Sequence, residues 1–197
     1  MKKTLLFCNG ISGCGKSYFI QNTLPSGLFY NLRSATTRPM RPGESDGNPY
    51  FFRDENYFRN AKLATYLWVN ERFWQPGDLP WLYGVPESEI FDNLDKNLVY
   101  DVIQPRYTRQ MMDWFIEHKL NQEYEFKVAY FLPPDGNMNT VIKRANMPGD
   151  LKVRTANTCT PYDFLEAAVH IDYILSPRAR LNSPELMHHI NKLAKQR

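Results

Sequence analysis

The sequence predicts an α/β fold in which helices flank a parallel sheet. An apolar run, Thr4 to Cys8, leads through a glycine-rich segment into the helix-compatible residues Ser17 to Thr23. Two later apolar runs, Leu98 to Ile103 and Lys127 to Leu132, indicate buried strands. Between them, Arg106 to His118 carries apolar side chains at i, i+4, i+7 and i+8, as a helix packed on a sheet does.

Chain length and charge narrow the class of protein. The 197 residues accommodate one α/β core with a small inserted subdomain. Hydrophobic residues make up 43% and charged residues 23%, which is ordinary for a soluble enzyme. The net charge is only +3 and no basic block stands out, so small anionic molecules are the expected partners and nucleic-acid binding is not indicated.

Cysteine use and the N-terminus predict a cytoplasmic protein. Cys8, Cys14 and Cys159 are scattered without a C-x-x-C pair, which indicates neither a disulfide framework nor a zinc site. The apolar stretch after Met1 to Lys3 is too short for a signal peptide or a membrane span. The oligomeric state stays open.

A phosphate-binding motif follows the first apolar run. Gly10 to Ser17 matches G-x-x-x-x-G-K-[ST], in which glycines let backbone N–H groups turn inward around a phosphate. In such a loop Lys16 reaches the β and γ phosphates and the Ser17 hydroxyl holds Mg²⁺. The candidate ATP-binding residues are therefore Gly10, Ser12, Gly13, Cys14, Gly15, Lys16, Ser17 and Tyr18. The alternative, a glycine-rich turn with a solvated lysine, is disfavoured by the strand–loop–helix context.

A stiff, arginine-bearing loop comes next. Two X-Pro steps exclude a helix between Arg33 and Phe52. Arg38 and Arg41, three residues apart on this loop, could close around a second, monoester phosphate, as guanidinium geometry favours. A solvated basic loop is the alternative, but a phosphate-donor loop needs an acceptor site to be useful.

The two motifs together resemble those of guanylate kinases, whose acceptor motif runs S-x-T-T-R-x-x-R-x-G-E-x-x-G-x-x-Y-x-F. The matching positions are Ser34, Thr36, Thr37, Arg38, Arg41, Gly43, Glu44, Gly47, Tyr50 and Phe52. The resemblance implies one P-loop kinase domain with its core at residues 1–33 and 86–197, an acceptor-binding insert at 34–85 and a short lid at about 145–153. It also implies that Arg38, Arg41 and Tyr50 bind the phosphate of a nucleoside monophosphate, and that Tyr83 contacts it.

Base recognition is where the chain departs from that family. By the resemblance, Trp68 replaces a glutamate, Val85 a serine or threonine and Ile103 an aspartate, all of which contact guanine. A turn-rich insertion, Gln75 to Pro80, leaves open a register in which Glu71 takes the place of the missing glutamate. Since hydrogen-bonded base readout discriminates by roughly 10⁴ or more, its loss predicts an acceptor other than GMP, such as dTMP, dUMP or a modified deoxynucleotide.

Asp101 is the expected partner of Mg²⁺. It ends an apolar strand, and the carboxyl ends of parallel strands meet at the edge where a P-loop lies. By the resemblance it also matches an aspartate of the acceptor site. The alternative is a helix or turn cap.

The lid is shortened relative to the family, because the R-G-R-G run is missing. Only Arg144 and Arg154 could serve as the catalytic lid arginine beside Lys16 and Arg38, and each could equally be solvated. Further predicted elements are strands at Leu28–Leu32, Tyr66–Phe73 and Val169–Leu175, and helices at Glu55–Ala64, Glu87–Leu94, Met138–Arg144, Tyr162–Ala168 and from Ser183 onward.

The sequence therefore predicts transfer of the ATP γ-phosphoryl group, with Mg²⁺, to a (deoxy)nucleoside monophosphate. Three alternatives remain: a true GMP or dGMP kinase, a non-catalytic guanylate-kinase-like interaction module, and a kinase for a phosphorylated sugar. The intact Gly15, Lys16 and Ser17 argue against the module, whose P-loop is typically degraded.

Overall fold

The computed structural model describes residues 2–25, 27–68, 81–133, 159–176 and 184–195. They form two compact units: a core unit of Met1–Asn31 with Asp95–Arg197, and an inserted unit of Leu32–Leu94. In chain order the elements are β1 (Lys3–Asn9), α1 (Lys16–Asn22), β2 (Phe29–Asn31), β3 (Ala35–Thr36), β4 (Phe51–Phe52), α2 (Glu55–Asn60), β5 (Leu67–Trp68), β6 (Leu82–Gly84), α3 (Glu87–Phe91), β7 (Asn97–Val102), α4 (Pro105–Glu117), β8 (Tyr124–Phe131), α5 (Pro161–Glu166), β9 (Tyr173–Leu175) and α6 (Pro184–Ala194).

The core unit is built on a parallel sheet of five strands in the order β2-β7-β1-β8-β9. Strand β1 lies at its centre, and Leu5, Leu6 and Phe7 are almost wholly buried because both faces of the sheet are covered. The predicted α/β fold with a parallel sheet flanked by helices is confirmed. In the described part of the chain, every helix is too short or too polar to cross a bilayer.

Helix α4 packs on the sheet as its apolar spacing predicts. It begins with a proline at its first turn and buries Tyr107, Met111, Trp114 and Phe115. The ring of Phe115 meets that of Tyr124 edge-on at 5.3 Å. Helix α4 thereby covers the sheet.

The inserted unit contains a four-stranded sheet in the order β4-β3-β6-β5. Asp54 caps α2 by accepting a hydrogen bond from the Tyr57 N–H at 2.9 Å. The small core beneath consists of Ala35, Phe58 and Leu82. A Cβ at Gly84 would lie 2.5 Å from the Thr65 carbonyl oxygen, so only glycine allows this close approach to the neighbouring segment.

Four predicted boundaries were wrong by three residues or more, each because of hydrogen bonding. Helix α2 ends at Asn60, not Ala64, whose N–H bonds to the Val85 carbonyl at 2.8 Å. Strand β8 begins at Tyr124, not Lys127, since its ladder follows β1 from Lys3 onward. Strand β9 begins at Tyr173, not Val169, because the Val169 N–H still bonds to the carbonyl of Phe164. Helix α3 ends at Phe91, not Leu94, where the buried Asn93 side chain donates to the Glu89 carbonyl at 2.9 Å.

Several predicted features lie outside the described residues. They are the continuation of the Tyr66–Phe73 strand beyond Trp68, the Met138–Arg144 helix, the lid at about 145–153 and the Ser183 helix cap. The predicted insert at 34–85 falls within the inserted unit, which continues through α3 to Leu94.

Candidate nucleotide-binding site

The phosphate-binding loop has a backbone that only glycine adopts readily. Gly13 and Gly15 have φ angles of 82° and 102°, and Gly15 precedes α1 directly. At Gly10, where φ is 147°, a Cβ would lie 2.7 Å from the Phe131 carbonyl oxygen and 2.9 Å from the Cys14 sulfur. The glycines of the motif are therefore required by geometry.

Lys16 lies at the first position of α1 and is 6% exposed. Its Nζ donates to the carbonyl oxygens of Gly10 at 2.8 Å and Ile11 at 2.9 Å, and it lies 3.6 Å from Oδ1 of Asp101. Burial lowers the pKa of this ammonium and is the largest single effect, but Asp101 together with the nearby Cys14, Cys159 and Cys8 outweighs it, so the net pKa is raised. Lys16 is therefore positively charged at neutral pH.

Ser17 and Asp101 also meet at this loop. The Ser17 hydroxyl donates to Oδ2 of Asp101 at 2.9 Å. Strand pairing explains the contact, because Cys8 at the end of β1 lies in register with Asp101 on β7. A hydroxyl and a carboxylate beside a charged lysine supply the oxygen ligands that Mg²⁺ prefers. The sequence-predicted cluster of Lys16, Ser17 and Asp101 is thus assembled.

The remaining candidates of the core unit border this cluster. Cys14 is buried, with its sulfur 3.9 Å from Nζ of Lys16, and burial raises the pKa of its thiol. Ser12 is partly exposed, and the Tyr18 side chain is 63% exposed. The Ile103 carbonyl accepts a hydrogen bond from the Gly10 N–H at 3.3 Å, so Ile103 adjoins the phosphate loop.

Arg38 is the central cation of the inserted unit and is only 3% exposed. Its Nη2 donates to both carboxylate oxygens of Glu44, at 2.8 and 2.9 Å, and its Nη1 donates to the Pro39 carbonyl at 2.8 Å. Glu44 also accepts from the Arg41 N–H at 2.8 Å. Burial lowers the pKa of Arg38, but hydrogen bonding to Glu44 and nearby tyrosines outweigh it and raise the pKa. Arg38 is thus a fixed, permanent charge.

Aromatic rings surround the Arg38 guanidinium. Its central carbon lies 5.4 Å from the ring centre of Tyr50 and 5.5 Å from that of Phe52. Tyr83 meets Tyr50 edge-on at 5.7 Å and pairs in register with Thr36. Burial raises the pKa of Tyr83, which keeps its hydroxyl protonated as a hydrogen-bond donor.

Ser34, also predicted at this site, is 8% exposed, and its carbonyl accepts from the Phe51 N–H at 3.0 Å. Arg38, Tyr50 and Tyr83 therefore form one cluster with the loop that carries Ser34. They are the residues expected to hold an acceptor phosphate.

Two of the proposed base-reading positions belong to the β5–β6 region. Val85 is fully buried; its N–H donates to Oγ1 of Thr65 at 3.2 Å and its carbonyl accepts from the Ala64 N–H at 2.8 Å. Trp68 pairs in register with Leu82. Glu71, Arg144 and Arg154 lie outside the described residues.

Two polar pairs were not predicted from the sequence: one is fully buried, and the other joins a buried carboxylate to a partly exposed arginine. Asn9 and Thr108, both fully buried, exchange hydrogen bonds at 2.9 and 3.0 Å directly before the phosphate loop. Glu89 on α3 holds Arg33 at 2.9 Å. Glu89 lies in the first turn of the helix after Pro86, where a glutamate is usually exposed to solvent, so the sequence pattern does not show that it is buried.

The parallel sheet, the glycine loop and the Lys16–Ser17–Asp101 cluster together define a P-loop kinase fold. The chain is 30% identical over 140 residues to a guanylate kinase of Aliivibrio fischeri, a match that covers 69% of this chain and 61% of that protein. It is 41% identical over 59 residues to a guanylate kinase of Helicobacter hepaticus, or 29% of either chain. These matches support assignment of the chain to the guanylate kinase family.

Comparison with solved structures agrees on the fold. The crystal structure of guanylate kinase from Anaplasma phagocytophilum superposes with a TM-score of 0.55 at 22% identity, covering 99% of this chain and 86% of that one. No protein-family model matches the chain. The chain spans about three fifths of the length of its A. fischeri relative.

Proposed function

We propose that this protein is an ATP-dependent nucleoside monophosphate kinase that transfers the γ-phosphoryl group of ATP to a (deoxy)nucleoside monophosphate. The observation that carries the proposal is the Lys16–Ser17–Asp101 cluster, in which Nζ of Lys16 and Oγ of Ser17 lie 3.6 and 2.9 Å from the Asp101 carboxylate. The names of the curated relatives support the same class of reaction.

On the donor side, Lys16 and the loop N–H groups bind the phosphates of ATP. Lys16 is charged at neutral pH and so offsets the negative charge of the γ-phosphoryl group during its transfer. Ser17 and Asp101 would hold Mg²⁺, which neutralises phosphate charge when bound. Little covalent chemistry is required of the protein, since this reaction depends on alignment and charge.

On the acceptor side, Arg38, Arg41, Tyr50 and Tyr83 bind the monoester phosphate. Arg38 supplies a buried positive charge and Tyr83 a protonated hydroxyl. Glu44, predicted as a ligand-binding residue, directs both its oxygens at Arg38 and the Arg41 N–H. We assign it the positioning of Arg38. The lid arginine of this proposal is Arg144 or Arg154.

The acceptor base is proposed to be other than guanine. Val85 and Ile103 are residue types without a side-chain hydrogen-bonding group, and Trp68 is one whose only such group is an indole N–H. A pyrimidine such as that of dTMP or dUMP, or a modified deoxynucleotide, needs less edge recognition than guanine does. The competing assignment keeps guanine as the base and Glu71 as its reader.

A substrate panel tests the proposal. Each common nucleoside and deoxynucleoside monophosphate is incubated with Mg-ATP, and ADP is measured. We expect turnover with a pyrimidine or modified deoxynucleotide and poor turnover with GMP. A preference for GMP refutes the base assignment, while no turnover together with no thermal stabilisation by saturating Mg-ATP refutes the kinase and favours an interaction module.

A matched pair of variants identifies the source of any ADP. Lys16→Ala removes the loop ammonium, whereas Lys192→Ala removes an exposed lysine of α6. ADP formation should fall by about 10²–10³ in the first and persist at the wild-type rate in the second. Persistence in both would assign the signal to a contaminating ATPase.

A further inference from the structure

Glu89 of α3 is a buried carboxylate that pairs with Arg33. It is 6% exposed. Its Oε1 accepts from the backbone N–H and the Nε of Arg33, at 3.2 and 2.9 Å, and its Oε2 accepts from Nη2 at 3.3 Å. A buried carboxylate that receives three hydrogen bonds from one arginine fixes the orientation of that arginine.

Arg33 also contacts a second segment of the inserted unit, the turn that contains Gly47. Its Nη1 donates to the Gly47 carbonyl at 3.2 Å, and its guanidinium stacks on the Phe51 ring with 4.5 Å to the ring centre. Gly47 has a φ of 80°, and a Cβ there would lie 3.6 Å from Nη1 of Arg33. One arginine thus connects α3 with the turn that precedes β4.

That turn is a small hairpin that ends at Tyr50. Its backbone pairs Ser45 with Asn48 in both directions, at 3.0 and 2.8 Å, and the Gly47 N–H donates to the Tyr50 carbonyl at 2.8 Å. Gly47 therefore contacts Arg33 through its carbonyl and Tyr50 through its N–H. The Tyr50 ring in turn lies over Arg38 and against Tyr83.

From this chain of contacts we propose that Arg33 and Glu89 are positioning residues for the binding of a phosphate monoester. The Arg33–Glu89 pair holds the hairpin of residues 45–50 so that Tyr50 stays against Arg38. The identity of the ligand rests on the proposed function. The claim that the Arg33–Glu89 pair holds the hairpin does not. Arg33 and Glu89 act through the hairpin and need no contact with the nucleotide.

Hydrogen–deuterium exchange on the ligand-free protein tests whether the Arg33–Glu89 pair holds the hairpin. Glu89→Gln removes the charge that orients Arg33, whereas Glu55→Gln breaks the exposed pair with Arg59 and serves as the control. We expect the Gly47 and Asn48 amides to exchange about tenfold faster in Glu89→Gln, because opening of the hairpin is easier by about 1.4 kcal/mol. The control should match the wild type. Unchanged exchange of both amides in Glu89→Gln overturns the proposal.

Steady-state kinetics with the best monophosphate of the panel tests the ligand side. We expect Glu89→Gln to raise KM for the monophosphate about tenfold while KM for ATP stays near the wild-type value, since only acceptor binding depends on the hairpin. A purely structural role would instead reduce the amount of folded protein and leave both KM values unchanged. That result overturns the proposal.

A double variant separates stability from positioning. Arg33→Met with Glu89→Leu leaves no unpaired buried charge, so the unfolding midpoint should recover relative to Glu89→Gln. KM for the monophosphate should stay high, because the hydrogen bond to the Gly47 carbonyl is still missing. A normal KM in the double variant contradicts the inference.

Failure of the kinase proposal would be recognised separately. If no monophosphate is phosphorylated, protection against unfolding by inorganic phosphate replaces KM as the readout. Protection that is weaker in Glu89→Gln than in Glu55→Gln supports the positioning role, and equal protection in the two variants refutes it.

Discussion

Replacing Thr108 by valine tests how the start of the phosphate loop is anchored. Thr108 on α4 and Asn9 at the end of β1 are both fully buried, and they exchange hydrogen bonds at 2.9 and 3.0 Å. Valine has nearly the same shape as threonine but lacks the hydroxyl. Thr108→Val therefore leaves an Asn9 amide N–H and its Oδ1 without these bonds, in a place that water does not reach.

The expected cost follows from those two atoms. A buried polar group that loses its partner costs about 1–3 kcal/mol, so the pair predicts a loss of about 3 kcal/mol in the free energy of unfolding. For a chain of this size that corresponds to a fall of about 6–12 °C in the unfolding midpoint. Thr108→Ser keeps the hydroxyl and loses one methyl group, which costs about 1 kcal/mol.

Urea denaturation of the two variants at neutral pH is the assay. Thr108→Val should be less stable than Thr108→Ser by about 2 kcal/mol, with the same m-value in both. The reasoning is refuted if the valine variant is as stable as the serine variant. In that case shape, and not hydrogen bonding, holds the end of β1 on α4.

Three further results are expected. Lys16→Ala should lower kcat by about 10²–10³ in the coupled ADP assay, because the transition state loses its main cation; turnover near the wild-type level would refute the role. Burial raises the pKa of Cys14 and raises that of Cys159 to about 12. Above pH 9.0, the ordinary thiol pKa, only the unfolded chain releases these protons, so the temperature of the unfolding midpoint should decrease as the pH rises further. Calorimetry of Cys159→Ala should show a smaller decrease in the unfolding midpoint with pH than the wild type does. An equal decrease in the two proteins would show that the Cys159 thiol does not contribute to it. For Glu44, burial raises the pKa and is the largest single effect, but the hydrogen bonds from Arg38 and the Arg41 N–H together with the charges of both arginines outweigh it, so the net pKa is lowered. Its stabilising effect is therefore present above pH 4.5 and lost on acidification, so the wild type and Glu44→Gln should differ in midpoint at pH 7 and converge in acid.

The sequence predicted what depends on short-range pattern. Gly10, Gly13 and Gly15 could be placed in the phosphate loop because their spacing encodes a backbone that other residues resist. Asp101 could be placed beside Lys16 because two apolar strands of a parallel sheet end at one edge, and the observed register of β1 with β7 brings them together.

What the sequence did not reveal depends on long-range or turn geometry. The pairing of Arg33 with Glu89 joins positions 56 residues apart, and neither residue carries a motif. Glu44 is in the motif, but its contact with Arg38 depends on the turn between them. The start of β8 at Tyr124 was hidden because Glu125 and Lys127 interrupt the apolar pattern while the ladder with β1 continues.

The contacts of Lys16 also define what a ligand must achieve. Its ammonium already has two carbonyl oxygens and a carboxylate as neighbours. An incoming anion must therefore replace contacts of the ammonium with protein oxygens and not contacts with water. The affinity of the loop for an anion is the difference in free energy between these two sets of contacts. A simple anion such as chloride gains little from that exchange. A triphosphate can also hydrogen-bond to the loop N–H groups, which gives the loop selectivity for its ligand before any base is recognised.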